Sequence, residues 1–514
     1  MTRGESHETM AEGTAPDMAK HHGKHDVLDG LAKPESTSPV NKYRTLLLNI
    51  GLFALNTVAT KLIAFLLVPL YTYYMTSGEF GVTDMSTTVI SLVMPLATLS
   101  ISEATMRFAL NDEEHNKSYI TVGFLMVTLS CLIVLCCLPL LRLQIFGGLD
   151  HYQWFFFISY ITNAFQMLLN NVARAVNEIK IIPVASVVTA LSTGLCAWLL
   201  IGVIHGGVVG YFWSMIIGNV LGILFYMFGA RLYRFVSSIT FAQIKANLQV
   251  MLRYSLPLIP NALFWWAGTS INRFFITSML GIAASGLFAV GTKIPTLLNL
   301  VCGIFQQAWT LSAFQEYKRT DISLFFTKIY RIFQSGMVLA SSGIILITPW
   351  IAGFMLQKEF YTAWTLVPAL LVAFYFNTQN AFYGTVYTSS MHTTTLFTTT
   401  ICGALTIVAG TYFLIPPMGL MGACVAMALG NFIVLVLRMI FAKRLIVVQV
   451  HWLTVAPSVL LMITQAVVMT VQPSHYMLWS FLIFILIAII QIIDLTPTAK
   501  ELYGRMRRNR RRQN

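Results

Sequence analysis

Long apolar stretches recur along almost the whole chain, separated by short polar gaps. A helix needs about 20 apolar residues to cross roughly 30 Å of hydrocarbon. Fourteen windows meet that need: 46–74, 82–105, 119–141, 152–173, 183–204, 208–230, 255–279, 283–310, 329–354, 362–387, 395–415, 419–440, 453–472 and 477–495. The pattern predicts an all-α polytopic membrane protein of about 14 transmembrane helices. An even number of crossings returns both termini to one side.

The polar gaps differ in charge. Of the 33 Lys and Arg residues, 28 fall in the two tails or in every second gap. The other set of gaps receives only Arg142 and Lys358. The positive-inside rule then makes the basic side cytoplasmic, which predicts a multi-pass membrane protein with both termini inside. Lys61, Arg273 and Lys293 remain, and all three lie within predicted spans.

Composition agrees with lipid as the main solvent, since 56% of residues are hydrophobic and 10% charged. A formal charge of +13 could suggest nucleic acid. Its residues are instead spread over short loops and a tail rather than one basic face, so no nucleic-acid partner is expected. The seven cysteines sit in apolar runs without metal-ligand spacing and read as packing residues. Residues 1–44 are polar and lack the pattern of a cleavable signal peptide. They read as a disordered cytoplasmic tail, and His21, His22 and His25 within it as tail residues rather than a metal site. No cofactor is expected.

The gaps on the side opposite the basic residues are short, leaving no room for a folded domain, so function must reside between helices. The gap from Arg231 to Arg253 is long enough for a linker or a surface helix. An internal echo supports a division there: Ser77-Gly78-Glu79-Phe80-Gly81-Val82 returns as Ser285-Gly286-Leu287-Phe288-Ala289-Val290, at a constant offset of 208 residues. Two six-helix bundles in parallel repeat place a site at their interface. The expected organisation is an N-terminal bundle (45–230), a cytoplasmic linker (231–254), a C-terminal bundle (255–446), two additional transmembrane helices (447–496) and a polybasic tail (497–514). That tail lies where anionic lipids attract basic residues.

An ionised side chain at mid-bilayer costs about 2.5–3.5 kcal/mol on insertion scales, so embedded charges face a cavity or a partner. Lys61 shares a helical stripe with Asn49, Asn56, Thr57 and Thr60. Span seven carries Asn261, Trp265, Asn272 and Arg273, and span eight carries Thr292, Lys293, Thr296, Asn299 and Gln306. Spans four (Asn163, Gln166, Asn170) and ten (Asn377, Asn380, Gly384) have similar stripes, and for any single Asn in these five stripes hydrogen bonding between helices is the plainer reading. Asp84 is the acid placed at comparable depth to the three cations. Glu103, roughly 28 Å further along span two at 1.5 Å per residue, cannot join it as a dyad, and its spacing to Arg107 predicts a local ion pair. Asp494 is expected to reach interfacial water. Three bases against one acid make a site for an anion such as a pyrophosphate or an acidic sugar.

Two segments resemble the polysaccharide flippases of Wzx type, in the superfamily that also holds lipid II flippases and MATE antiporters. The first is Gly78-Glu79-Phe80-Gly81-Val82-Thr83-Asp84 with Pro95, Leu99 and Ala104 to Phe108. The second runs from Ser255-Leu256-Pro257-Leu258-Ile259-Pro260-Asn261 through Asn272-Arg273-Phe274 to Gly286 and Gln307-Ala308-Trp309. The likeness extends over most of 41–446. It implies a non-enzymatic carrier whose halves alternate between inward and outward states, and whose embedded bases Lys61, Arg273 and Lys293 bind an anionic lipid-linked sugar. Asn56, Asn272 and Asn299 are candidate neighbours. Where the family commonly has Asp before the span-seven Arg, this chain has Asn272, so ion coupling assigned to that carboxylate does not carry over.

The expected function is translocation of a polyprenyl-diphosphate-linked oligosaccharide for surface polysaccharide synthesis, in company with other assembly proteins. Three alternatives stand beside it: a lipid II flippase, an ion-coupled small-molecule exporter with Asp84 as the ion site, and a polysaccharide polymerase. The short outer gaps offer the last of these little catalytic platform.

Overall fold

The computed structural model describes residues 60–112, 114–316, 322–390 and 392–513, except the side chains of 307, 308, 311, 314–316 and 497–513. Helices occupy the described part of every predicted window, including 60–66 and 68–74 of the first, whose residues 46–59 lie outside the described residues. No strand occurs among the described residues. Among the described residues ten helices are long and apolar enough to cross a membrane, and one bent pair makes eleven. The protein is an all-α, multi-pass membrane protein.

In chain order the first helices are α1 (Val68–Tyr74), α2 (Ser77–Ala97), α3 (Ile101–Asn111), α4 (Asn116–Cys137), α5 (Gln153–Ala175), α6 (Ile181–Ala197) and α7 (Gly207–Leu224). Helix α8 (Phe241–Ser255) occupies the long gap expected as a linker. It opens with a reciprocal capping box between Thr240 and Gln243 and packs on α3 and α4. Beyond it come α9 (Leu258–Ser270), α10 (Asn272–Leu280), α11 (Ile282–Gly291), α12 (Thr296–Glu316), α13 (Ile322–Met355), α14 (Val367–Ser389), α15 (Thr393–Met418) and α16 (Leu420–Ala442). The chain ends with α17 (Trp452–Val471) and α18 (Tyr476–Gln513), which pack on each other and on α13.

Three windows read as continuous spans are broken. The second divides at Thr98–Ser100, where Leu99 and Ser100 take φ of 52° and 51°, a left-handed conformation that side chains other than glycine rarely adopt. The seventh divides at Ile271, between α9 and α10. In the eighth, Thr292–Pro295 leaves the helix and the axis bends by 47°. Pro295 explains this break: it lacks an N–H and its ring clashes with the preceding turn. Between α10 and α11 the chain reverses at Gly281 with φ of 90°, a position suited to glycine.

Packing also reassigns several polar residues. Arg438, counted with the loop cations, is only 8% exposed inside the α14–α15–α16 group. Its guanidinium donates to the Asn380 carbonyl (2.6 Å) and to the hydroxyls of Thr400 (3.0 Å) and Thr399 (3.3 Å). Asp494 does not reach interfacial water. Arg331 grips it with two hydrogen bonds of 2.6 and 2.7 Å, and Thr454 adds a third. Arg107 makes no pair with Glu103; it lies over the Tyr254 ring at 4.7 Å. The stripes of spans four and ten do join helices, through Gln166 to Thr189, Asn170 to Tyr226 and Asn380 to the Asn431 carbonyl. Trp309, part of the second resembling segment, stacks on Phe382 at 4.9 Å and so ties α12 to α14.

Candidate functional site

The two echoing segments pack against each other. Helices α2 and α11 meet along Ser77–Phe80–Gly81 and Ile282–Ser285–Gly286. A Cβ on Gly81 would collide with the Ile282 carbonyl oxygen, and one on Gly286 with that of Ser77. Small residues let the two backbones touch, which replaces a hydrophobic driving force that lipid does not supply. Gly286→Val is therefore expected to wedge this seam apart. The destabilisation should be about 1–3 kcal/mol, as for overpacked cores, read as a lower melting temperature of the protein in detergent.

Other contacts gather at the same end. Thr76 and Glu79 form a capping box at the start of α2, and Glu359, from the far half of the chain, accepts the Ser77 N–H at 2.5 Å. A carboxylate there suits the positive end of the helix dipole. Thr72 donates to the Met355 carbonyl at 2.7 Å, and Phe80 meets Phe360 edge to face at 5.9 Å. Deeper on α2, one and two turns past Asp84, the Thr88 carbonyl and the Ser91 hydroxyl accept from the Trp266 indole, whereas Phe146 packs against Phe274 at the capped end. This is the end at which the gaps carry only Arg142 and Lys358. Thr76-x-x-Glu79 was readable as a capping signature; the contribution of Glu359, 282 residues from its partner, was not.

Inside this closed end lies the charge cluster. Arg273 Nε donates to Asp84 Oδ2 at 2.5 Å, with the two side chains 14% and 8% exposed. Helix α10 supplies the arginine and α2 the carboxylate, so the ion pair bridges the chain's halves. Lys293 stands in the break between α11 and α12, half-buried, its ammonium 5.8 Å from the centre of the Phe80 ring. It lies within electrostatic reach of Asp84, Arg273 and Lys61. Lys61 is exposed, and among the described residues neither lysine makes an ion pair.

The sequence-derived candidates thus divide. Arg273 and Asp84 pair, Lys293 stands in the helix break near them, and Lys61 is exposed. Asn299 is exposed on the first turn of α12. Asn272 is 2% exposed and accepts a hydrogen bond from Thr411 at 3.2 Å, which ties α10 to α15. Asn56 lies outside the described residues. Arg273 is not a bare cation, because Asp84 already neutralises it. Two positive charges remain on Lys61 and Lys293. Non-helical backbone is tolerated at membrane depth where it is buried in protein or lines a water-filled space, and in transporters such breaks mark binding sites. No group of three or more metal-ligating side chains occurs among the described residues.

The model of one protein family matches residues 46–310, which include α2, the α10–α12 break and all four charged residues. The chain belongs to the polysaccharide biosynthesis protein family. No curated protein sequence matches it. Among solved structures, the lipid II flippase MurJ in an inward closed conformation superposes with a TM-score of 0.68 at 12% identity, over 88% of this chain and 99% of MurJ. An inward-facing multidrug resistance MATE family transporter of the MOP superfamily gives 0.60 at 16%, over 76% and 94%. A MOP superfamily transporter from Pyrococcus furiosus, whose binding pocket has reversed polarity, gives 0.56 at 17%, over 77% and 95%. This family member therefore has the MOP transporter fold.

Proposed function

We propose that the protein is a flippase that carries a polyprenyl-diphosphate-linked oligosaccharide from the cytoplasmic to the outer leaflet of a bacterial plasma membrane. The observation that carries this reading is the Arg273–Asp84 ion pair, with Lys293 beside it in the helix break beneath the closed end. A diphosphate is the part of such a cargo that three bases can hold. Family membership and the likeness to a lipid II flippase support a lipid-linked sugar. No covalent step is needed.

The bias of basic residues toward the opposite gaps makes the closed end extracytoplasmic. A diphosphate entering from inside competes with Asp84 for Arg273. Each contact that it gains on Arg273 loosens the ion pair between α2 and α10, so cargo binding itself favours opening of the outer seam. Rocking of one half against the other then exposes the headgroup outside. Because Arg273 holds Asp84, this carboxylate fits a latch better than the ion site of a small-molecule exporter.

Replacing Lys61, Arg273 or Lys293 singly by Ala is expected to lower surface polysaccharide while leaving membrane insertion unchanged. Hydrogen bonds to charged groups contribute about 1.5–3 kcal/mol each, so cargo affinity should fall by roughly 10- to 100-fold. Unchanged surface polysaccharide in all three variants refutes the site. If drug accumulation in cells, rather than surface glycan, follows the presence of the protein, the exporter reading replaces this one.

A further inference from the structure

Three consecutive aromatic residues of α9 point three ways, because successive helix positions turn by about 100°. Phe264 meets Phe397 of α15 edge to face at 5.3 Å. Trp266 is 7% exposed and donates to Thr88 and Ser91 of α2. Trp265, between them, is 67% exposed. Since α2 belongs to the first half of the chain and α15 to the second, this indole stands in the opening between the halves. Asn261, one turn earlier on the same face, is exposed, and a Cβ at Gly268, one turn later, would meet no neighbouring helix within 4 Å. An exposed amide fits water better than hydrocarbon, where it would go unsatisfied. The opposite face of α9, with Ile259, Leu263 and Ala267, is apolar and suits lipid. A tryptophan of an interfacial belt stands at the membrane edge. Trp265 instead precedes Arg273 by eight residues, roughly 12 Å of helix at 1.5 Å per residue, on the side of the ion pair away from the closed end.

We infer that Trp265 is a stacking platform for the glycan of the cargo, with a sugar ring laid on the indole and the Asn261 amide reaching its hydroxyls. The inference rests on the flippase reading above and adds a sugar contact to it. A pyranose has an apolar face of C–H groups and a rim of hydroxyls. The indole offers a large flat apolar surface, and the amide offers both donors and an acceptor. An apolar wall with a few placed polar groups is the usual make-up of a site that fixes a ligand's orientation. With the diphosphate at Arg273 and Lys293, the sugars trail back toward the side from which the cargo entered, which is where Trp265 stands. The bases read the diphosphate that all such cargoes share; Trp265 reads the glycan and so bears on which lipid-linked sugars are carried.

The test is equilibrium binding to the purified full chain in detergent with two probes: the polyprenyl-diphosphate-linked oligosaccharide extracted from cells that lack the protein, and polyprenyl diphosphate without sugar. The wild type is expected to bind the glycan-bearing probe more tightly. Trp265→Ala should weaken that probe by about tenfold, the size of one lost aromatic contact, and leave the bare diphosphate unchanged, which also reports that the variant is folded. Trp265→Phe should keep most of the preference, since a ring face remains. Equal affinity of the wild type for the two probes overturns the inference, as does an equal loss for both probes, or no loss, in Trp265→Ala. If the wild type binds neither probe, or if no lipid-linked oligosaccharide accumulates in cells without the protein, the flippase reading itself falls and the platform with it.

Discussion

Lys293→Glu is expected to abolish export of the lipid-linked sugar, a larger effect than loss of the charge through Lys293→Ala. Lys293 lies in the break between α11 and α12 and within reach of Asp84, Arg273 and Lys61. A carboxylate at this position reverses the local balance: two bases would face two acids where three now face one. The variant carboxylate also offers Lys61 and Arg273 a resident partner, and a juxtaposed like charge costs an incoming diphosphate several kcal/mol. A loss of 2.7 kcal/mol or more is about 100-fold in affinity. The check is surface polysaccharide in cells that lack the native gene and carry the variant. Membrane levels of the protein should stay near normal, because the break in which Lys293 sits is set by Pro295 and not by the lysine side chain.

The second large effect concerns the Asp84–Arg273 pair. Removing one partner from a largely buried pair leaves the other charge uncompensated, at a cost of about 3–5 kcal/mol. Asp84→Ala and Arg273→Ala should therefore each lower thermal stability in detergent. The double variant should recover much of that loss, since neither charge is then stranded, but it should not recover transport. Recovery of stability without function separates the latch from the cargo contact. If the single variants prove as stable as the wild type, the pair does not hold the halves together. If the double variant transports normally, Arg273 does not touch cargo.

The fold was legible because lipid enforces it. An apolar run of fixed length has to cross, and windows such as 119–141 and 453–472 emerged as Asn116–Arg142 and Trp452–Val471. The charged candidates stood out in the sequence for the same reason, since an ionised group within an apolar run is conspicuous. Departures came where tertiary contacts decide. Leu99 and Ser100 carry no local signal for a left-handed break, whereas Pro295 did carry one. Asn272 could not be separated by periodicity from a cavity residue, because Thr411 on a distant helix claims it. Arg438 stands at the end of an apolar run, where cations normally mark a loop. Its burial depends on Asn380, Thr399 and Thr400, from two other helices.

The seam between α2 and α11 adds a physical meaning to the internal echo. In both halves a small residue stands where the other half's backbone arrives, Gly81 against Ile282 and Gly286 against Ser77. The repeated segment is thus one that pairs with its own copy. Asp84 and Arg273 lie close beyond that contact, which places a breakable ion pair next to a breakable packing surface. The coupling proposed between cargo and opening depends on this adjacency.

The most direct measurement uses the purified protein in sealed vesicles with a polyprenyl-diphosphate-linked oligosaccharide and the same sugar on an uncharged polyprenol. The account predicts transbilayer movement of the diphosphate form alone, and its loss when Lys61 and Lys293 are both replaced by Ala. Equal movement of the uncharged form, or undiminished movement by the double variant, would contradict the claim that an electropositive seam recognises the cargo.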